Sequence, residues 1–210
     1  MAGLGETRQD KVLKQIQEKE NHMPSEATYT IQSISPYSSS AYFEPDQQEG
    51  ESSEQYEKRN ALRRCHYDSD GYIYIPGMAF KYALTSAAKY QRIKKENSGQ
   101  ETMTKHLEAG LLVTSNIDLG IKADDLEFEW FFVPSDGKRG GAKRIKKCFP
   151  SVKSWHGQLN VGVLDDNVTE EILTECVKRV GMFIGVGRFR PEKGGFYGRF
   201  QINDVKWSKV

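Results

Sequence analysis

Residues 181–200, GMFIGVGRFRPEKGGFYGRF, run from the end of an apolar segment to a closing aromatic one. Side chains are withheld at Gly185, Gly187, Gly194, Gly195 and Gly198, while Arg188, Arg190, Arg199, Phe196 and Tyr197 stand between them. Glycine is used where the backbone must pass close to a neighbour or take a positive φ. Arginines and aromatics between such glycines offer a polyanion exposed N–H donors, forked guanidinium donors and flat stacking surfaces. The alternative is a helix-to-hairpin turn whose glycines serve tight geometry alone.

Outward from this loop the chain reads as alternating elements. Upstream, residues 169–180 (TEEILTECVKRV) predict a helix: Asp166 to Thr169 supply capping groups, Glu170 and Glu171 sit in its first turn, and Ile172, Leu173, Cys176, Val177 and Val180 form an apolar stripe. Downstream, residues 200–205 (FQINDV) predict a strand, as do 158–164 (QLNVGVL) with Leu159, Val161 and Val163 on one side. Residues 127–133 (EFEWFFV) alternate so that Phe128, Trp130 and Phe132 share a face; that face is read as core, with base stacking the lesser alternative. Residues 107–121 are expected to supply one strand or two short ones. Residues 78–94 (MAFKYALTSAAKYQRIK) predict a helix, entered through Pro76 and Gly77 after the short strand 71–75. A further strand is expected at 27–34 (ATYTIQSI).

The order of elements predicts an α+β fold, a ferredoxin-like antiparallel sheet with helices on one face. Residues 1–26 form an N-terminal arm or short helix, and 27–210 a single domain. That domain carries an acidic flexible loop at 35–57 and a basic hairpin insertion at 134–153.

The formal charge of +1 conceals segregation. Eight acids and no Lys or Arg lie between Glu20 and Glu57, whereas seven Lys or Arg and no acid lie between Gly137 and Leu164. Such a chain can bind a polyanion with one region and a basic neighbour with the other, unless both runs are merely solvated loops. The basic candidates are Arg59, Arg63 and Arg64 in one segment, and Lys138, Arg139, Lys143, Arg144, Lys146 and Lys147 in and after the hairpin turn. No apolar run approaches the roughly 18 residues of a membrane span; a cytoplasmic location is the expectation. Cys65, Cys148 and Cys176 are odd in number and lack metal-type spacing, so they read as reduced thiols. No cofactor or metal is expected. Walker-type, HExxH, GxSxG and EF-hand patterns are missing.

Residues 74–84 (YIPGMAFKYAL) resemble a conserved-pattern segment of the RAMP superfamily, the RNA-recognition-motif-like proteins of CRISPR effector complexes: Ile-Pro-Gly, two residues, a hydrophobe, Lys, any residue, Ala, Leu. Gly185-Val186-Gly187-Arg188 through Gly194-Gly195-Phe196-Tyr197-Gly198 is similar to that superfamily's glycine-rich loop. The pair most resembles the backbone subunits that polymerise along a guide RNA and carry a protruding hairpin. The resemblance implies that Lys81 and the helix start at Gly77 approach an RNA backbone, that the glycine-rich loop supports strand binding or fold closure, and that subunits stack into a helical homo-oligomer beside other effector subunits. Two departures matter. Met78-Ala79 replaces the usual serines, and residues 59–63 hold no acid where RNA-cutting subunits carry an aspartate, which argues against target cleavage.

The leading expectation is therefore a non-catalytic protein that coats single-stranded guide RNA. The alternatives are a phage or mobile-element protein coating single-stranded DNA or RNA, a metal-free endoribonuclease using His66 or His156 as general acid or base, and an interaction decoy of an effector subunit.

Overall fold

The computed structural model describes residues 24–91, 102–135 and 143–209. The expected N-terminal helix, together with Lys138 and Arg139, lies outside them. The elements run β1 (Ser25–Ser33), α1 (Ser53–Arg59), β2 (Tyr72–Ile75), α2 (Gly77–Gln91), α3 (Thr104–Ala109), β3 (Leu111–Leu112), β4 (Ile117–Lys122), β5 (Glu127–Pro134), β6 (Arg144–Ser151), β7 (His156–Val163), α4 (Glu170–Arg179) and β8 (Phe200–Lys209).

The central sheet has the order β3-β7-β1-β8, every neighbouring pair antiparallel. With α2 between β1 and β3, and α4 between β7 and β8, this is the split βαβ arrangement of a ferredoxin-like α+β fold. Its inner face is set by alternation: Ala27, Tyr29 and Ile31 from β1 and Leu159, Val161 and Val163 from β7 are buried. The helices close over that face with Phe80, Ala83, Leu84 and Ala87 from α2 and Leu173, Cys176 and Val177 from α4. Burying each large apolar side chain contributes about 2 kcal/mol. Helix α4 starts at Thr169, whose hydroxyl accepts from Ile172 N, and Glu170 and Glu171 lie in its first turn.

Beyond α4 the helix loosens into one wide turn over Val180–Ile184 and stops at Gly185, whose N–H donates to Val180 O at 2.7 Å. The glycine-rich loop then folds back on the chain itself. Gly198, at φ +71°, needs no Cβ: one built there lies 1.9 Å from Val186 O.

Residues 107–121 supply two short strands, β3 and β4, one of the two expected alternatives, while Leu107 is a buried residue of helix α3. Two expectations need correction. The acidic loop is not a free excursion. Tyr37 is buried and exchanges two backbone bonds with Val152, Ser38 O accepts from Arg188 N, and α1 begins at a capping box of Ser52 and Gln55. The hairpin insertion is longer than 134–153: β5 and β6 pair residue for residue from Glu127↔Ser151 to Pro134↔Arg144 as a two-stranded ribbon separate from the main sheet.

Candidate nucleic-acid interface

An antiparallel ribbon has two faces, and residues directly opposite one another share one. On one face of β5–β6 lie Phe128, Trp130 and Phe132, opposite Pro150, Cys148 and Lys146, with Arg144 at its end. This face is not core. Phe128 is 40% and Phe132 67% exposed, and Trp130 is half-buried beneath the Lys146 ammonium, 4.5 Å from its ring centroid. Helix α1 flanks it, leaving an open groove of about 720 Å³ between Phe128 and Trp130 on one side and Gln55 and Lys58 on the other. Lys146 also reaches Glu54 at 3.0 Å. Aromatic rings interleaved with exposed cations are what stacks bases while tracking phosphates.

The opposite face explains why the alternation misleads. Phe131, the residue outside the expected trio, packs 5.1 Å from Phe189 and 6.2 Å from both Phe149 and Tyr197. Tyr197 OH donates to Glu129 at 3.0 Å. The glycine-rich loop thus anchors the ribbon from behind, and its rings spare the first face from burial. Tyr197 itself is only 5% exposed and serves this anchor, while Phe196, at 60%, remains open to solvent.

The remaining basic candidates divide sharply. Arg59 bonds Glu51 and Asp46, and Arg63 bonds Asp46 and Asn60. The Arg59 guanidinium in turn holds the Asp46 and Glu51 carboxyls below the usual carboxylate range. Arg64, 6% exposed, bonds Glu57 at 2.8 Å and Cys148 O at 3.1 Å. Arg190 bonds Glu192 and Gly187 O. Asp46, Glu51 and Glu57 belong to the stretch expected to form a separate acidic loop. Lys143 and Lys147 have no ion-pair partner among the described residues, and Arg144 bonds only Phe132 O. Arg199 is half-buried, with an Nε that finds no acceptor.

Lys81 departs most from the expectation. Its ammonium donates to the carbonyls of Leu107, Glu108 and Leu111 at 3.2, 2.6 and 2.8 Å, so that two bonds cap helix α3 and the third ties it to β3. Burial pushes its pKa down. At the start of α2, Gly77 N donates to Asn116 Oδ1 at 3.2 Å, and a Cβ on Gly77 would lie 2.5 Å from Ser115 O. The close approach at this glycine is to the protein's own chain.

His66 stacks loosely on Tyr74, and burial lowers its pKa; His156 is exposed at the start of β7. Neither side chain makes a hydrogen bond among the described residues. The sequence reading missed another histidine, His106, whose Nδ1 lies 2.6 Å from Asp165 Oδ2 and ties α3 to the connection after β7. The residues lie 59 positions apart, so no local spacing signals the pair. Cys65, Cys148 and Cys176 are buried thiols.

The outer face of the main sheet is mostly polar: Thr28, Thr30, Asn160, Gln158, Asp204 and Lys206 share it with His156 and Leu112, and among the described residues no Phe, Tyr or Trp does. Base stacking on the sheet, the mode of RNA recognition motifs, has no platform there.

No protein-family model matches the chain, and no curated protein does. Among solved structures, it is similar to a chain of the Type III-B Cmr-beta complex bound to cognate target RNA, with a TM-score of 0.53 at 12% identity over 98% of this chain and 68% of that one. It is also matched to Cmr6 from Pyrococcus furiosus, with a TM-score of 0.48 at 17% identity over 86% of this chain and 98% of that one. The first likeness shows a shared fold.

Proposed function

We propose that this protein is a non-catalytic, RAMP-type subunit that binds single-stranded nucleic acid, guide RNA in preference to DNA, and assembles along it as a helical oligomer. The observation that carries this reading is the solvent-facing aromatic and basic side of the β5–β6 ribbon. Phe128, Trp130 and Phe132 offer rings to bases of any identity, and Arg144 and Lys146 supply charge at the same surface. The shared fold with a chain of an RNA-bound effector complex supports the assignment to RNA, as does the resemblance of residues 74–84 and 185–198 to RAMP motifs. Lys143 and Lys147 extend the basic strand on either side, and Phe196 adds an exposed ring on the glycine-rich loop. Lys81, Arg59, Arg63, Arg64 and Arg190 belong to the scaffold in this reading.

Labelled single-stranded RNA and DNA of equal length, titrated across a salt series, test it. The expected result is RNA-preferring binding in large complexes, with log affinity falling linearly with log salt because bound cations release counterions from phosphates. Absence of binding to either strand at low salt overturns the reading and favours a protein-interaction decoy. Cleavage of the labelled RNA overturns its non-catalytic part.

A further inference from the structure

Behind the ribbon, the end of β5 and three further elements converge on a small cavity of about 240 Å³. Arg64 comes from the short turn Leu62–Arg64, Lys147 and Phe149 from β6, and Arg188 and Phe189 from the glycine-rich loop. Among the described residues the charges there do not balance. Glu57 is the carboxylate at this site, and it is held by Arg64 and by Cys148 N. Arg64 and Arg188 lie 5.3 and 4.5 Å from the centroid of the same Phe149 ring. The Arg188 Nε is buried and has no hydrogen-bond partner among the described residues. Lys147 has no ion-pair partner among the described residues. Burial of the Arg188 guanidinium and the proximity of Arg64 both lower its pKa. A desolvated cation without an acceptor is costly, and a structure that keeps one is poised to receive an anion.

A second observation points to the same place. Phe189 adopts φ +57°, the one non-glycine with positive φ among the described residues, and lies 5.3 Å from Phe149. A phenylalanine held there is strained, and such strain gathers at ligand clamps.

We infer that the cavity formed by Arg64, Lys147, Arg188, Phe149 and Phe189 is a phosphate-binding pocket. A phosphate in it takes the unused guanidinium donors of Arg188 and the ammonium of Lys147, while the rings shield the contact from water. The source of the phosphate is either the backbone of a bound strand, which rests on the reading given above, or a free phosphate. The two are separable.

The experiment uses the full chain and three variants, Arg188→Met, Arg188→Lys and Lys147→Met. Thermal stability is measured against inorganic phosphate at constant ionic strength with chloride as the balance, and affinity is measured for labelled single-stranded RNA. Phosphate is expected to raise the parent Tm in a saturable way that chloride does not reproduce, and Arg188→Met is expected to abolish the rise while melting at or above the parent without phosphate. Its RNA affinity should fall about tenfold, with the salt slope reduced by about one. Lys147→Met should show the same changes more weakly. Should Arg188→Met not fold, Arg188→Lys and Lys147→Met carry the test. RNA binding that is identical in parent and variants, without a phosphate-specific Tm shift, overturns the pocket and leaves the strand-binding reading intact. A phosphate shift that depends on Arg188 in a protein that binds no RNA keeps the pocket and removes the strand as its ligand. A phosphate shift unchanged in every variant also overturns the pocket.

Discussion

Lys81 illustrates how one side chain can stand in a stretch that resembles a family motif and yet serve the fold. Its bonds to the Leu107 and Glu108 carbonyls at the end of α3 satisfy acceptors that a short helix otherwise leaves to water, and its third bond, to Leu111 O, reaches β3. Removing it strands those carbonyls and an interhelical tie. Lys81→Met is therefore expected to destabilise the protein by about 2–3 kcal/mol, on the scale of hydrogen bonds to a charged group, with RNA affinity unchanged in the folded fraction. Urea denaturation and a binding titration check this together; loss of RNA affinity at unchanged stability would assign Lys81 to the strand. The thiols give a second prediction at this scale. Burial pushes Cys65 and Cys176 up to about 12, against about 8.5 in an unfolded chain. The folded state holds these protons more tightly, so the stability they confer is complete below about pH 8.5 and is lost as pH rises toward 12. Tm measured from pH 8 to 11 should fall progressively, and a Cys65→Ala, Cys176→Ala double variant should show a flatter decline.

At the scale of elements, the β5–β6 ribbon and the glycine-rich loop are mechanically one unit. The loop holds the ribbon by the cluster of Phe131, Phe149, Phe189 and Tyr197, and the ribbon presents its other side to solvent. Trp130→Ala on the open side should lower single-stranded RNA affinity by about 1–3 kcal/mol, the measured range for one base–aromatic stack, while the urea midpoint moves little. A large fall in stability with unchanged affinity would return Trp130 to the core. The loop behaves differently. Gly198→Ala sets a Cβ 1.9 Å from Val186 O at a φ of +71°, and neither side can yield because both are backbone. A loss of about 3 kcal/mol or more is expected from such strain, read as a lowered denaturation midpoint.

At the scale of the whole molecule, charge is distributed otherwise than along the chain. The arginines of residues 59–64 are met by acids of residues 44–57 within the protein: Asp46 and Glu51 with Arg59, Asp46 with Arg63, Glu57 with Arg64. Lys143, Arg144 and Lys146 are exposed along the ribbon's second strand and the residue before it. A salt slope for RNA binding should consequently be set by ribbon and loop residues, and Arg59→Ala should leave it unchanged. The split βαβ sheet places α2 and α4 on its inner face and leaves a mostly polar outer face, so the binding surface proposed here is the inserted ribbon and not the sheet.

The elements themselves were legible from the residues. Period-2 alternation marked β1, β5 and β7, the 3.6-residue stripe marked α2 and α4, and their order gave the ferredoxin-like sheet, because each signal depends on neighbours a few positions apart. Motif resemblance likewise found the glycine-rich loop and the Pro76-Gly77 entry to α2. Alternation in EFEWFFV showed that there are two faces; it carried no information on which one is covered, since that depends on Phe189 and Tyr197, some sixty residues away in the sequence. The partners of Lys81, Arg64 and His106 were hidden for the same reason. A charged or polar side chain announces a need for a partner, and only the tertiary fold brings that partner within hydrogen-bonding distance, or, at Arg188, fails to.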